Sequence, residues 1–259
     1  MTVQTDYFTI ETGAATDTGC VRSHNEDSYL VRPELGVWVV ADGMGGHAAG
    51  DVASQIIVTE LASVGFSTSP EDLQVRFMER LNHAHARIVS HAQGLGGTTV
   101  GATLVGLLAY DDRYVCIWSG DSRIYRMRNG VLTQQTQDHT EVRELFEAGL
   151  ISADEAAHWP RKNVITRAIG VSDAPRCDVL QDGLVEGDVF LLCSDGLTEH
   201  HDDADLAQAL RADTDAQSIC DTLIRQTRER GAKDNVTAVV VRCTAPELVP
   251  VEDYWGDEE

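Results

Sequence analysis

An α+β fold, with antiparallel sheets and helices packed outside them, is what the pattern of this sequence predicts. Two observations carry it. The apolar, turn-bounded runs come mostly in hairpin-like pairs, and the helix-like segments do not alternate with them one for one, as a doubly wound parallel sheet would require. No Pro-rich or Ser/Gly-rich linker divides the 259 residues. The expectation is one domain over residues 1–243 and a short acidic tail over 244–259. With 42% hydrophobic and 24% charged residues, the chain is able to bury a large core without disulfides or a structural metal.

The elements follow in order. Residues 36–41, GVWVVA, form an apolar strand ending at Asp42-Gly43. A helix is expected over about 50–63. A longer one runs from Glu71 to Gln93, where Leu73, Phe77, Leu81, Ala84, Ile88 and Ala92 recur at spacings of three and four and share one face. Residues 101–110 and 113–119 flank Asp111-Asp112 and form a hairpin. Residues 140–158 predict two short helices broken at Gly149. Strand 189–193, VFLLC, runs into Ser194-Asp195-Gly196; a helix over about 215–230 and a β-branched strand over 235–243 complete the chain.

Charge narrows the function. Twenty basic residues stand against 42 acidic ones, a net charge of −22. Such a chain repels nucleic acid and anionic membranes. The six cysteines, Cys20, Cys116, Cys177, Cys193, Cys220 and Cys243, include no CxxC pair. That is unlike a zinc or thioredoxin-like site and suits a reducing compartment. The start, MTVQTDYFTIETG, has no basic and apolar leader, and no run reaches the roughly 20 apolar residues of a membrane span. A cytoplasmic protein is expected.

One pattern recurs: a strand delivers an aspartate at its end. It appears as VVADGMGG (Asp42), IWSGDSR (Asp121) and LLCSDG (Asp195), and, ahead of a strand, as KDN (Asp234); RSHNED adds Arg22, Glu26 and Asp27. Singly, each is an ordinary turn or cap. Together they place carboxylates on one rim of a sheet, where like charges call for compensation and a divalent cation supplies it. An all-oxygen set without His or Cys points to Mg²⁺ or Mn²⁺ rather than zinc. Gly43 lets the backbone carbonyl come close to such an ion.

These segments, with GGTTV (96–100), QDHTEV (137–142), ITRAIG (165–170) and GAKDNVTAVVV (231–241), resemble in content and order the metal-dependent protein phosphatases of the PP2C type, bacterial stand-alone branch. The resemblance spans about Thr12 to Cys243. It implies a central β-sandwich of two antiparallel sheets flanked by helices on both sides. It also implies hydrolysis of phosphoserine and phosphothreonine in proteins, by attack of a water or hydroxide bridging two divalent metals, in opposition to a bacterial Ser/Thr kinase. Asp42 would bridge the two ions, Gly43 would offer its carbonyl to the first, and Asp195, Asp234 and Asp27 would hold the second, with Glu26 alongside. Asp121 and Asp195 would take a third, weaker ion, and Arg22 would bind the phosphoryl group. The expected partners are phosphorylated Ser/Thr proteins and a cognate kinase, with no nucleic acid or membrane, and the expected state is a monomer.

Some relatives carry a histidine, proposed as general acid, where this chain has Met44. Methionine donates no proton, which leaves a metal-bound water or another group for the leaving oxygen, with His47 a weak candidate. His83 and His85 lie two apart on a helix and do not face one site. His139 and His158 fall in the segment resembling the family's flap and are expected at the surface. Arg161 and Lys162 are candidates for attracting a phosphopeptide. Two alternatives stand beside the phosphatase: a catalytically weak phosphoprotein-binding module, and a metal phosphohydrolase of small molecules. Retention of Asp27, Asp42, Asp121, Asp195 and Asp234 speaks against the first; relative rates on phosphopeptides and nucleotides separate the second.

Overall fold

The computed structural model describes residues 1–45, 49–161 and 163–246. In chain order the strands are β1 Thr2–Gln4, β2 Thr9–Asp17, β3 Asp27–Arg32 and β4 Val37–Gly45; helices α1 Gly50–Leu61 and α2 Pro70–Gly94 follow. Next come β5 Val100–Ala102, β6 Leu104–Tyr110, β7 Arg113–Ser119, β8 Arg123–Arg128 and β9 Val131–Gln134. Helices α3 Glu141–Glu147 and α4 Ala153–Ala157 precede β10 Asp178–Gly183 and β11 Val189–Cys193. The chain continues through α5 Asp195–Thr198, α6 Asp203–Leu210, α7 Ala216–Glu229 and β12 Val236–Thr244. One sheet has the order β1-β2-β12-β11-β8-β9; the other is β10-β7-β6-β4-β3, with β5 joined to β4. Every strand pairing is antiparallel.

The two sheets face each other, and helices cover both outer faces. Strand pleating explains why three apolar clusters form. In β4, Trp38 and Val40 point between the sheets, while Val37, Val39 and Ala41 point toward α1 and α2. In β11, Phe190 and Leu192 enter the middle layer while Leu191 and Cys193 meet the α6 and α7 side; β12 divides Val239 and Val241 from Ala238 and Val240 in the same way. Both faces of these strands are buried, so they read as continuous apolar runs instead of alternating ones.

The long helix lies as its periodicity predicts. Pro70 fits its first turn, Ser69 caps it by accepting from the Asp72 N–H at 3.1 Å, and Leu73, Phe77, Leu81, Ala84 and Ile88 are buried. The predicted 101–110 strand is instead two strands, interrupted at Thr103. β4 runs on to Gly45, so Asp42 lies inside it and not at its end. β2 and α7 are pressed together: a Cβ at Gly13 would stand 2.3 Å from the Ala216 backbone. Gly13→Ala is therefore expected to cost about 1–3 kcal/mol, read as a lower melting temperature. An unchanged melting temperature would show that this contact yields freely.

Candidate metal centre

The site lies at one end of the sandwich, where the segments carrying Asp27, Asp42, Asp121, Asp195 and Asp234 meet. Asp27 opens β3 and pairs in register with Asp42 on β4. Just there β4 changes neighbours, from β6 to β5. Thr103 fills the break: its N–H donates to the Asp42 carbonyl at 2.8 Å and its Oγ1 accepts from the Asp42 N–H at 3.1 Å. The same hydroxyl is 2.7 Å from Ser122 Oγ, beside Asp121. The interruption of the predicted strand is thus what fixes Asp42 and ties it to the Asp121 turn.

Asp195 begins α5 directly after β11. Its neighbour Ser194 donates to Asp27 Oδ2 at 2.7 Å, and Thr237 Oγ1 donates to the same oxygen at 2.7 Å. Asp234 precedes β12, and Asn235 is the peg that locates it. The Asn235 N–H donates to Asp234 Oδ1 at 2.8 Å, its Oδ1 accepts from the Glu26 N–H at 2.8 Å, and its Nδ2 donates to the Thr18 and His24 carbonyls, both at 2.9 Å. Arg22 reaches Asp234 Oδ2 at 2.6 Å. That bond, above all, raises the guanidinium pKa, with Glu26 and Asp42 adding to it.

Electrostatics join the aspartates into one unit. Burial, then the charges of Asp27, Asp195, Asp121 and Asp234, hold the Asp42 carboxyl well above the usual range. Asp195 is pushed to about 8 by burial, then by Asp121, Glu199, Asp234 and Asp27. Asp121 rises to about 6 through burial and then Asp138. Asp27 rises to about 6 through burial, even though Thr237 and Ser194 hydrogen bonds oppose it. Glu26 is raised by burial and restrained by the Gly50 N–H at the start of α1. Carboxylates are gathered here with Arg22 the cation bonded to them, which is unfavourable unless further positive charge arrives.

The donor set fits a hydrated divalent cation. Asp27 Oδ1 is buried with no hydrogen-bond partner, an orphaned acceptor at the centre of the group. Among the described residues, no three His, Cys, Asp or Glu side chains close into a cage of their own. Asp121 and Asp195 line a pocket of about 170 Å³ beside the group, with room for an ion that keeps several waters. Gly43 has a packing reason for its bareness: a Cβ there would meet the Gly50 carbonyl at 2.0 Å and the Glu26 carbonyl at 2.7 Å.

The structure also sorts the remaining expectations. His139 is buried, contrary to the surface expectation. Its Nδ1 accepts from the Gly120 N–H at 3.2 Å and its Nε2 is 3.1 Å from Asp178 Oδ2, so it braces the Asp121 turn. His158 is exposed. His85 is a satisfied core residue, accepting from the Gly170 N–H at 3.1 Å and bonded to the Ser172 carbonyl at 2.9 Å, while His83 is exposed. Arg161 is paired with Glu141 at 2.8 Å. His47, Lys162 and the tail beyond residue 246 lie outside the described residues. The pegs Thr103, Ser194, Asn235 and Thr237 were missed by sequence reasoning. Only the Asn of KDN gave a signal, as a polar residue at the mouth of an apolar strand.

Comparison with known proteins identifies the family. A family model described as protein phosphatase 2C matches residues 21–240. The chain is 35% identical over 236 residues to the serine/threonine phosphatase stp of Listeria innocua, covering 87% of this chain and 93% of that one. Among solved structures it resembles PppA, described as a key regulatory component of T6SS in Pseudomonas aeruginosa, with a TM-score of 0.82, 40% identity and coverage of 90% of this chain and 97% of that one. It also resembles the catalytic domain of the phosphatase PstP in complex with 2 manganese ions, with a TM-score of 0.81, 33% identity and coverage of 91% and 98%.

Proposed function

Because the chain belongs to the protein phosphatase 2C family and is a serine/threonine phosphatase, we propose that its carboxylate cluster holds two divalent cations, Mn²⁺ or Mg²⁺, over which phosphoserine and phosphothreonine esters are hydrolysed. The observation that carries this is the convergence of buried aspartates at one end of the sandwich, where Asp27 pairs in register with Asp42, the Asp27 Oδ1 oxygen has no hydrogen-bond partner, and burial raises Asp42, Asp195, Asp27 and Asp121 alike. Asp42 would contribute to holding both ions together with the Gly43 carbonyl on one side and Asp195, Asp234 and Asp27, with Glu26 alongside, on the other, and Asp121 with Asp195 would hold a third, weaker one. When bound, such ions lower the pKa of a water toward neutrality and offset charge on the phosphoryl oxygens.

The chain's own residues do the rest. Arg22 is about half exposed at the rim, tethered to Asp234, and presents its planar fork to a phosphoryl group entering the cleft. Asn235, Ser194 and Thr237 hold the carboxylates in place so that little reorganisation accompanies reaction. Met44 has no proton to give. A cysteine nucleophile is disfavoured: burial pushes Cys193, beside the site, to about 12, and Cys177, Cys220 and Cys243 to about the same value. Phosphorylated Ser/Thr proteins are the proposed substrates and a Ser/Thr kinase the opposing activity. Residues 1–243 constitute the catalytic domain in this reading.

Equilibrium dialysis tests the ion count: two Mn²⁺ per chain are expected, and none bound at millimolar Mn²⁺ would overturn the assignment. Arg22→Ala is expected to raise KM for a phosphopeptide by roughly tenfold, the value of a hydrogen bond to a charged group, with a smaller change in kcat. Unchanged KM and kcat would remove Arg22 from phosphate binding.

A further inference from the structure

No residue of helices α3 and α4 is fully buried; Val142, Leu145 and Ala156 are half-buried. Helices α1, α2, α6 and α7, by contrast, each lay an apolar face on a sheet. At seven and five residues, α3 and α4 are too short to persist on propensity alone. Polar contacts hold them: the Thr140 cap, the Ser152–Glu155 capping box, Arg161 to Glu141 and Thr166 to Glu144. Their inner faces are left looking into space. Between them and the edge formed by β7 and β10 runs a groove of about 760 Å³, with Trp118 and Leu180 on the sheet side and Val142, Phe146, Ala153 and Ala156 on the helix side.

Two features say what fits there. The charges lining the groove are spent: Arg123 pairs with Asp138 at 2.7 Å and Arg143 with Glu147 at 2.7 Å. Gln134, Gln135, Thr136 and Gln137 add neutral polar groups to the lining, so the groove offers an apolar side chain a matching surface and a charged one no unpaired counter-charge. It also adjoins the catalytic end. A smaller pocket of about 170 Å³, lined by Asp121, Asp195 and Glu199, shares Arg123, Asp138, Thr140 and Val142 with the groove. Those four residues form the wall between the two spaces.

We propose that this groove is a substrate subsite that takes a large aliphatic or aromatic side chain of the phosphoprotein, a few residues along the chain from the phosphorylated Ser or Thr. This rests on the phosphatase reading above. A polypeptide whose phosphorylated residue lies among the carboxylates must leave the cleft, and a chain passing over the Thr140–Val142 wall meets the groove within a few residues. A side chain of Leu or Phe size matches a pocket of this volume and would cover α3 and α4.

The test is kinetic, on the full chain with saturating Mn²⁺. A set of phosphothreonine peptides carries a single Leu, or a single Asp, walked through each flanking position; p-nitrophenyl phosphate serves as a substrate too small to reach the groove. At one or two positions Leu is expected to lower KM by about tenfold relative to Asp. Ala156→Glu and Phe146→Ser, made separately, should each erase that preference and leave kcat and p-nitrophenyl phosphate turnover unchanged. Two independent variants guard against one that fails to fold. A Leu preference that is absent, or that survives both substitutions, would overturn the subsite. So would variants that change no peptide KM but lower the melting temperature, which would mean that the chain itself fills the groove. If the unsubstituted chain hydrolyses neither substrate with Mn²⁺, the phosphatase reading fails and the subsite with it.

Discussion

Asp42→Asn is expected to lower turnover by about 10³-fold or more while leaving the protein folded. The substitution keeps the shape and removes one charge from the middle of the cluster. Loss of a single preorganised electrostatic group from an active site typically costs 10²- to 10³-fold, and Asp42 is proposed to serve two ions at once. Its effect on stability should run the other way. Burial and four neighbouring carboxylates oppose ionisation of Asp42, so the neutral amide relieves repulsion in the metal-free protein. In EDTA the variant should melt above the unsubstituted chain, and saturating Mn²⁺ should reverse that order. Phosphopeptide turnover and thermal melting in both buffers read the two effects. Near-normal turnover in a folded Asp42→Asn protein would remove the metal assignment.

The second large effect is on pH dependence in chelator. Asp27 and Asp121 are raised to about 6 and Asp195 to about 8, against an unfolded value near 3.9. The folded chain therefore holds more protons than the unfolded one between those values. Stability from these groups is present below the unfolded pKa and is lost as pH rises through about 6 and then about 8. Some surface carboxylates act in the opposite sense at lower pH; the Arg230 hydrogen bond, for example, holds Asp205 below the usual range. Within about pH 5 to 8 the opposing groups are His139 and His201, which burial holds below the usual imidazole value and whose contribution therefore rises with pH; the three aspartates outnumber them. Over that window, the melting temperature in EDTA is expected to fall with rising pH. With millimolar Mn²⁺ it is expected to flatten or rise, because the ion binds the deprotonated carboxylates. A pH-independent melting temperature in EDTA would show that the carboxylates do not repel one another as placed.

Much of this was legible in the sequence, for identifiable reasons. Strands β7, β11 and β12 and helices α1, α2 and α7 fall within a few residues of where apolar runs and periodicity put them. The missed strands misled in particular ways. In β2, Gly13, Ala14 and Ala15 resemble loop residues, but Gly13 is bare because α7 lies against it. β3 begins inside the charged RSHNED segment, where the aspartate serves the site as well as the strand. The β8–β9 hairpin carried a readable signal in Asn129-Gly130, both with positive φ, as a tight hairpin turn demands. Asp42, Asp121, Asp195 and Asp234 stood out as candidates because each flanks an apolar run, and Glu26 and Asp27 because of the RSHNED segment ahead of the first. Their supports did not, because the bonds from Ser194 and Thr237 to Asp27 cross 167 and 210 residues of sequence. Such contacts exist only once both sheets have formed.

The central claim is that this carboxylate cluster works as a metal-dependent phosphoprotein phosphatase. Hydrolysis of a phosphothreonine peptide by the purified chain, with Mn²⁺ and then with excess EDTA, tests it most directly. The account predicts phosphate release that requires Mn²⁺ and stops with the chelator. A folded protein that binds the peptide but releases no phosphate with any divalent cation would contradict it, and would make this a phosphoprotein-binding module instead.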